Sequence, residues 1–287
     1  MTHDTATVAE AQGEQASSAE AKPTREAEVL PGGPLYLYGI VPSAQGLSSG
    51  EATQTGLVGV GEKPVYLVAH GTLSAIVSPA PSGRLRPERR NLAAHQTVLR
   101  EMAQRGDVLP MAFGIVATSR KDVVRVLRQS GTELREQITR VAGRVEMTVR
   151  LSLGVPNLFL HVVESDAELR VARDRMVASG SSHDQKMEVG RMFERAMNER
   201  RDSAAELLRQ ALDGLVVEEH AGKMRGENDL YSASFLVDRA GVAAFEAAIE
   251  TAAATLDDHH VIDLSGPWPP HSFVDARLDL DVGKAGS

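Results

Sequence analysis

The sequence predicts an α+β protein made of two α+β domains, and three observations carry that prediction. A chain of 287 residues is long enough for about two cores rather than one. Segments with period-two apolar alternation are interleaved with helical ones along the whole chain. From Arg144 onward their order is β-α-β-β-α-β, with extra helical material inserted ahead of the first main helix. That order suits a modified ferredoxin-like sandwich as the C-terminal domain.

Residues 1–33 are rich in Ala, Glu, Ser, Thr and Gln and contain no aromatics, so they cannot bury enough apolar surface to offset ordering entropy. A disordered acidic N-terminal tail is expected there. Leu35 to Val41, bounded by Pro34 and Pro42, reads as a strand. A Ser/Gly-rich loop over 43–61 follows, holding at most a short strand at Leu57 to Val60. Val65 to Ala69, the turn pair His70-Gly71, and Leu73 to Val77 make a hairpin. Leu92, His95, Leu99 and Met102 recur at helical spacing between Pro87 and Arg105, and Gly106 stands where a helix stops. An extended segment over 107–116 is interrupted by Pro110. Ser119 is placed to cap a helix carrying Val123 and Leu127, and a second helix after Gly131 carries Leu134, Ile138 and Val141.

The C-terminal domain opens at Arg144 to Leu153, where Val145, Met147, Val149 and Leu151 alternate with polar residues as in a half-buried strand. After a segment around Phe159 to Val163, a long helix is expected from about Gln185 to Leu212. Strands at Gly214 to Glu219 and Leu230 to Val237, a helix from Gly241 to Leu256, and a strand at His260 to Leu264 complete the order. The expected boundaries are therefore a tail over 1–33, an N-terminal domain over 34–141, a ferredoxin-like domain over 142–265 and a C-terminal tail over 266–287.

Composition narrows the function. There is no cysteine, which removes disulfides, thiol nucleophiles and cysteine-based metal centres, and fits a reducing cytoplasm. The net charge of −8 works against nucleic-acid phosphates and anionic lipid as partners. Half of it belongs to the tail, where six acids (Asp4, Glu10, Glu14, Glu20, Glu26, Glu28) outnumber Lys22 and Arg25. No stretch approaches the ~20 apolar residues of a membrane span, and no secretory signal opens the chain.

No motif supports catalysis, a cofactor or a metal. Gly56-Leu57-Val58-Gly59-Val60-Gly61-Glu62-Lys63 has glycines but lacks the Lys-Ser/Thr pair and the following helix of a phosphate loop. Asp257-Asp258-His259-His260 offers four ligand types in a row, yet consecutive residues on a strand point to opposite faces. A solvated turn is the simpler reading. His95, on an apolar helix face with no partner legible in sequence, is read as a hydrogen-bonded core histidine rather than a base. Met187, Met192 and Met197 share the long helix with Phe193, and their adaptable side chains are expected to be either core or a partner-binding face.

One block is unusual. Gly266-Pro267-Trp268-Pro269-Pro270-His271-Ser272-Phe273-Val274 holds the only tryptophan between backbone-fixing prolines. Physically it is a rigid peg that docks on its own fold or meets a partner. The block resembles the C-terminal signature of the gas vesicle protein F/L family, GvpF/GvpL, which usually reads Gly-Pro-Trp-Pro-Pro-Tyr-Ser-Phe. Leu35 to Val41, the helix at His95 to Leu99 feeding Val108 to Gly114, and Val145-Glu146-Met147 are similar too, so the likeness spans about 35–274. His271 departs from the usual Tyr, and Ala112 stands where an Arg often precedes Phe-Gly.

The resemblance implies a cytoplasmic, gas-vesicle-associated, non-enzymatic accessory protein. Its implied partners are the small hydrophobic shell protein and other gas vesicle accessory proteins, and its implied work is to assist nucleation and limit aggregation. Trp268, Pro269, Pro270 and Phe273, with Met192, Phe193 and Met197, are the candidate partner-binding or tail-docking residues. The alternative is a small-molecule-binding regulator built on the ferredoxin-like order.

Overall fold

A computed structural model describes residues 30–43, 46–83 and 85–275. The expected disordered tail therefore lies outside the described residues except for 30–33, and 276–287 of the C-terminal tail lies outside them as well. At the N-terminal margin Leu30 is 4% exposed and belongs to a core cluster, five residues before the first strand.

The first sheet is built from β1 (Leu35–Pro42), β2 (Ala52–Val58), β3 (Pro64–His70) and β4 (Leu73–Pro79), with short β5 (Leu109–Pro110) and β6 (Val116–Ala117). Its order is β2-β3-β4-β1-β5, with β6 also paired to β1. Every residue of β1 from Leu35 to Val41 is buried, because this central strand is covered on both faces. Leu35, Leu37 and Ile40 face the helices α2 (Arg120–Gln129) and α3 (Gly131–Val141). Tyr36, Tyr38 and Val41 face α1 (Arg89–Arg105). A register shift between Leu37 and Gly39 lets two aromatics and two aliphatic faces share one strand. As expected, Ser119 caps α2 by accepting the Asp122 N–H.

The glycine-rich stretch is a structural element, and β2 starts earlier than the sequence suggests. At Gly59 a Cβ atom would lie 2.0 Å from the Tyr38 hydroxyl. That hydroxyl accepts the Val60 N–H at 2.7 Å, so glycine here is what lets a buried tyrosine keep its hydrogen bond.

The second sheet contains β7 (Arg144–Leu153), β8 (Glu218–Ala221), β9 (Asp229–Asp238) and β10 (His260–Trp268), in the order β10-β7-β9-β8 and antiparallel throughout. Met147, Val149, Leu151, Ala233, Phe235 and Val237 point to one face, where α4 (Leu158–Ser165), α5 (Ala167–Ala178), α6 (His183–Ala211) and α7 (Val242–Ala253) cover them. Thr148, Arg150, Ser152, Ser232 and Ser234 occupy the alternate positions, as period two requires.

The segment at Phe159 to Val163, given no element type in sequence, is helix α4, started by Asn157, whose side chain accepts the Leu160 N–H; with α5 it supplies the extra helical material expected ahead of the long helix. Two element readings need correction. The long helix begins at His183 rather than Gln185, because Ser182 and Gln185 form a reciprocal capping box. The strand expected at Gly214 to Glu219 pairs only at Glu218–Ala221, where its partner β9 reaches it.

Candidate functional site

The Pro-flanked block lies on the seam between the two sheets. β10 does not stop at Leu264. It runs on through Trp268, which pairs opposite Glu146 after a register shift past Ser265. The Gly266–Pro267 peptide is cis. At Gly266 φ is +136°, and an added Cβ would sit 2.7 Å from Met147 Sδ and 2.8 Å from the Glu146 carbonyl oxygen. Only glycine lets the strand pass so close to β7 in this conformation. Trp268 is half-buried on this edge strand, while Pro269 and Pro270 are buried.

Beyond them the block clasps Glu146, a carboxylate only 6% exposed. The Ser272 N–H donates to Glu146 Oε2 at 2.8 Å, and the Ser272 hydroxyl donates to Oε1 at 2.7 Å. Phe273 is 3% exposed with its ring 6.3 Å from that of His220, and Val274 packs on the core of the first sheet. One short segment thus touches both halves of the chain. Arg140 to Glu218 at 2.7 Å, and the Arg239 guanidinium on the Ala103 carbonyl at 2.7 Å, tie the same halves together.

His95 lies under this seam within electrostatic reach of His271. Its Nε2 faces the Met111 carbonyl at 3.2 Å, so that nitrogen carries the proton, and Nδ1 accepts from the Tyr36 hydroxyl at 2.8 Å. The same Tyr36 oxygen accepts the Gly114 N–H. Burial, then the neighbouring His271, push the His95 pKa down to about 4, against the Met111 carbonyl. Burial likewise raises the Tyr36 and Tyr38 phenols and lowers His271, which Glu146 partly opposes. Both ring nitrogens of His95 are thus engaged by hydrogen bonds within the fold.

The second set of candidates belongs to a different cluster. Met197 is 2% exposed and lies in the core under the second sheet. Met192 and Phe193 are half-buried against that core, with the Phe193 ring 5.4 Å from Phe159. Exposed apolar side chains in this region include Phe159, Leu160 and Met187, and the first two escaped sequence reasoning because the segment at 159–163 was given no element type. Their signal was present in Asn157, a capping residue just ahead of an apolar run.

Among the described residues no group of three or more His, Asp or Glu side chains could hold a metal. Asp257 instead closes the turn into β10, accepting the His259 N–H at 3.0 Å and pairing with His260 Nδ1 at 2.6 Å, which lowers its carboxyl pKa. An open cleft of about 340 Å³ between α6 and the second sheet is lined by Leu151, Leu207, Leu256, Glu199, Arg200 and His260. Among the described residues no helix is long and apolar enough to cross a membrane.

The fold and seam define a mixed α/β protein of two antiparallel sheets and helices, closed by its own C-terminal block. Two solved structures share that architecture. The crystal structure of the gas vesicle protein GvpF from Anabaena sp. PCC7120 superposes with a TM-score of 0.73 at 24% identity, covering 85% of this chain and 99% of that one. GvpF from Microcystis aeruginosa gives 0.69 at 22% identity, with 84% and 98% covered. In sequence, Gas vesicle protein F of Streptomyces sp. (strain CB03234) is 33% identical over 241 residues, 84% of this chain and 99% of that protein. The family model described as gas vesicle synthesis protein GvpL/GvpF matches residues 34–275, and the chain belongs to that family of gas vesicle accessory proteins.

Proposed function

We propose that this protein binds the small hydrophobic shell protein of gas vesicles in the cytoplasm, assists nucleation and assembly, and limits aggregation of the subunit, without catalysis or a bound cofactor. Membership of the GvpL/GvpF family is the observation that carries the reading. The physical need is that a shell subunit with a large apolar surface aggregates unless that surface is masked. Co-expression with the shell protein is expected to give co-purification and less aggregate, and the absence of both at micromolar concentration would remove the proposal.

For the docking surface we favour Phe159, Leu160 and Met187 beside half-buried Met192 and Phe193, since Met197, Pro269, Pro270 and Phe273 are already buried within the fold. Phe159→Glu with Leu160→Glu is expected to abolish co-purification while leaving the melting temperature unchanged. Retained co-purification would place the contact elsewhere.

We also read the chain as two α+β domains, 34–141 and 142–265, with the block at 266–275 docked between them. In support, the apolar clusters divide near residue 142, and only Val274 crosses that division. The second unit is read as ferredoxin-like with α4 and α5 inserted, supported by a strand order in which its first strand lies between its fourth and third. The runner-up function, a small-molecule regulator, has the open cleft beside Arg200 and His260 in its favour. A flat thermal-shift response across nucleotides, amino acids and carboxylates would dispose of it.

A further inference from the structure

Charge is divided unevenly along this chain. Residues 34–141 carry 13 Lys and Arg against 8 Asp and Glu, whereas 142–275 carry 14 against 23. The N-terminal 33 residues, which lie outside the family match, carry six acids and two bases. A net charge of +5, next to −9 in the second half, makes the first half the more favourable partner for an acidic segment.

The first half also offers a defined groove. Ser49 and Gly50, in the turn before β2, and Arg120, Lys121 and Val124, on the first turns of α2, line an open space of about 310 Å³. Arg120 and Lys121 are exposed, and neither has an ion pair among the described residues. The carboxylates on the same two elements are held locally. Glu51 accepts the Ser48 N–H at 2.8 Å, and Asp122 takes the hydroxyls of Thr118 and Ser119 and lies 3.6 Å from Arg125. The groove therefore presents two cations without an ion pair among the described residues, beside Val124.

The acidic segment leads directly into Leu30, at the margin of the first half. Leu30 is buried in the cluster that contains Val123 of α2 and that Val124 of the groove wall packs against. Glu28 and Glu26 precede it by two and four residues, and Glu20 by ten, which at ~3.5 Å per residue gives a reach of up to ~35 Å. A tethered segment at that range has an effective concentration on the order of millimolar, so weak, screened ion pairs hold it for part of the time, a population that paramagnetic broadening detects.

We propose that the acidic segment Glu20 to Glu28 docks in the Arg120–Lys121 groove of its own chain. The proposal is independent of shell-protein binding. The absence of cysteine allows a single nitroxide label at Ala21→Cys in the full-length protein. Amide signals of Ser49, Gly50, Lys121 and Val124 are expected to lose intensity several-fold at low salt. That loss should disappear in about 0.5 M salt and in the Arg120→Glu/Lys121→Glu variant. A second variant, Glu20→Gln/Glu26→Gln/Glu28→Gln, leaves every described residue untouched and should abolish the same broadening. Broadening that ignores salt and both charge changes, or that is strongest on the second half, would overturn the proposal. Broadening passed to unlabelled, isotope-enriched molecules in a mixture would overturn it in favour of a second copy as the occupant.

Discussion

At His95 two hydrogen bonds and near-complete burial keep the ring neutral, and the consequence is a pH dependence with a definite sign. In the unfolded chain this imidazole titrates near 6.5, whereas in the fold burial and the neighbouring His271 hold it at about 4. Between those values the unfolded state binds more protons, so stability is full above about pH 6.5 and falls as pH drops toward 4. The loss for this one group is on the order of 3 kcal/mol. Urea denaturation at pH 7 and pH 4.5 should show it, and His95→Gln, which can still accept from Tyr36 and donate to Met111, should flatten the slope. At His271 the buried Nε2 atom has no hydrogen-bond partner, a cost of about 1–3 kcal/mol. His271→Tyr, restoring the ring the family resemblance leads one to expect, is predicted to raise stability by about 1 kcal/mol in the same assay. A fall in stability would mean that the imidazole is held by a contact that tyrosine cannot make.

Among the elements, β10 and its neighbours concentrate the demanding geometry. Gly266→Ala combines a positive φ with two contacts under 3 Å, one of them to backbone that cannot swing aside. A loss of more than about 2 kcal/mol is expected, read as a lower melting temperature. At the other end of the second sheet Asp229 is fully buried. Burial disfavours its charge, but the Arg150 guanidinium and the N–H groups of Arg225 and Gly226 outweigh that and hold the carboxyl below its ordinary range. Asp229→Ala would leave those donors and a partly buried guanidinium without their acceptor, a loss of about 3 kcal/mol. Strands with clear alternation, such as β7, were legible in sequence because period two reports burial directly. β8 was legible only in part: the strand expected at Gly214 to Glu219 overlaps it at Glu218 and Glu219, and its bounds are set by where β9 lies beside it.

For the whole molecule, the block at 266–275 is a clasp between the halves. Ser272→Ala with Phe273→Ala removes a hydrogen bond to Glu146 and a buried ring, and a loss of about 3–5 kcal/mol is expected from the ring alone. If the clasp couples the halves, calorimetry of this double variant should resolve two transitions where the parent shows one. A single, merely shifted transition would mean that contacts such as Arg140–Glu218 suffice to couple them.

The candidate residues divide along the same line. The Trp268 to Phe273 block stood out in sequence because prolines around the sole tryptophan restrict the backbone whatever surrounds it. Its target, Glu146, carried no such signal, lying 126 residues away from Ser272 in the alternation of another strand. By itself the sequence determined the α+β class, most element positions and the family signature, since periodicity, caps and turn residues act over a few neighbours. The tertiary structure alone decided which partners hold His95, that Met197 is core while Phe159 and Leu160 are exposed, and that the last strand closes the seam. Those outcomes depend on which distant surfaces meet, and burial and hydrogen-bond pairing are settled only there.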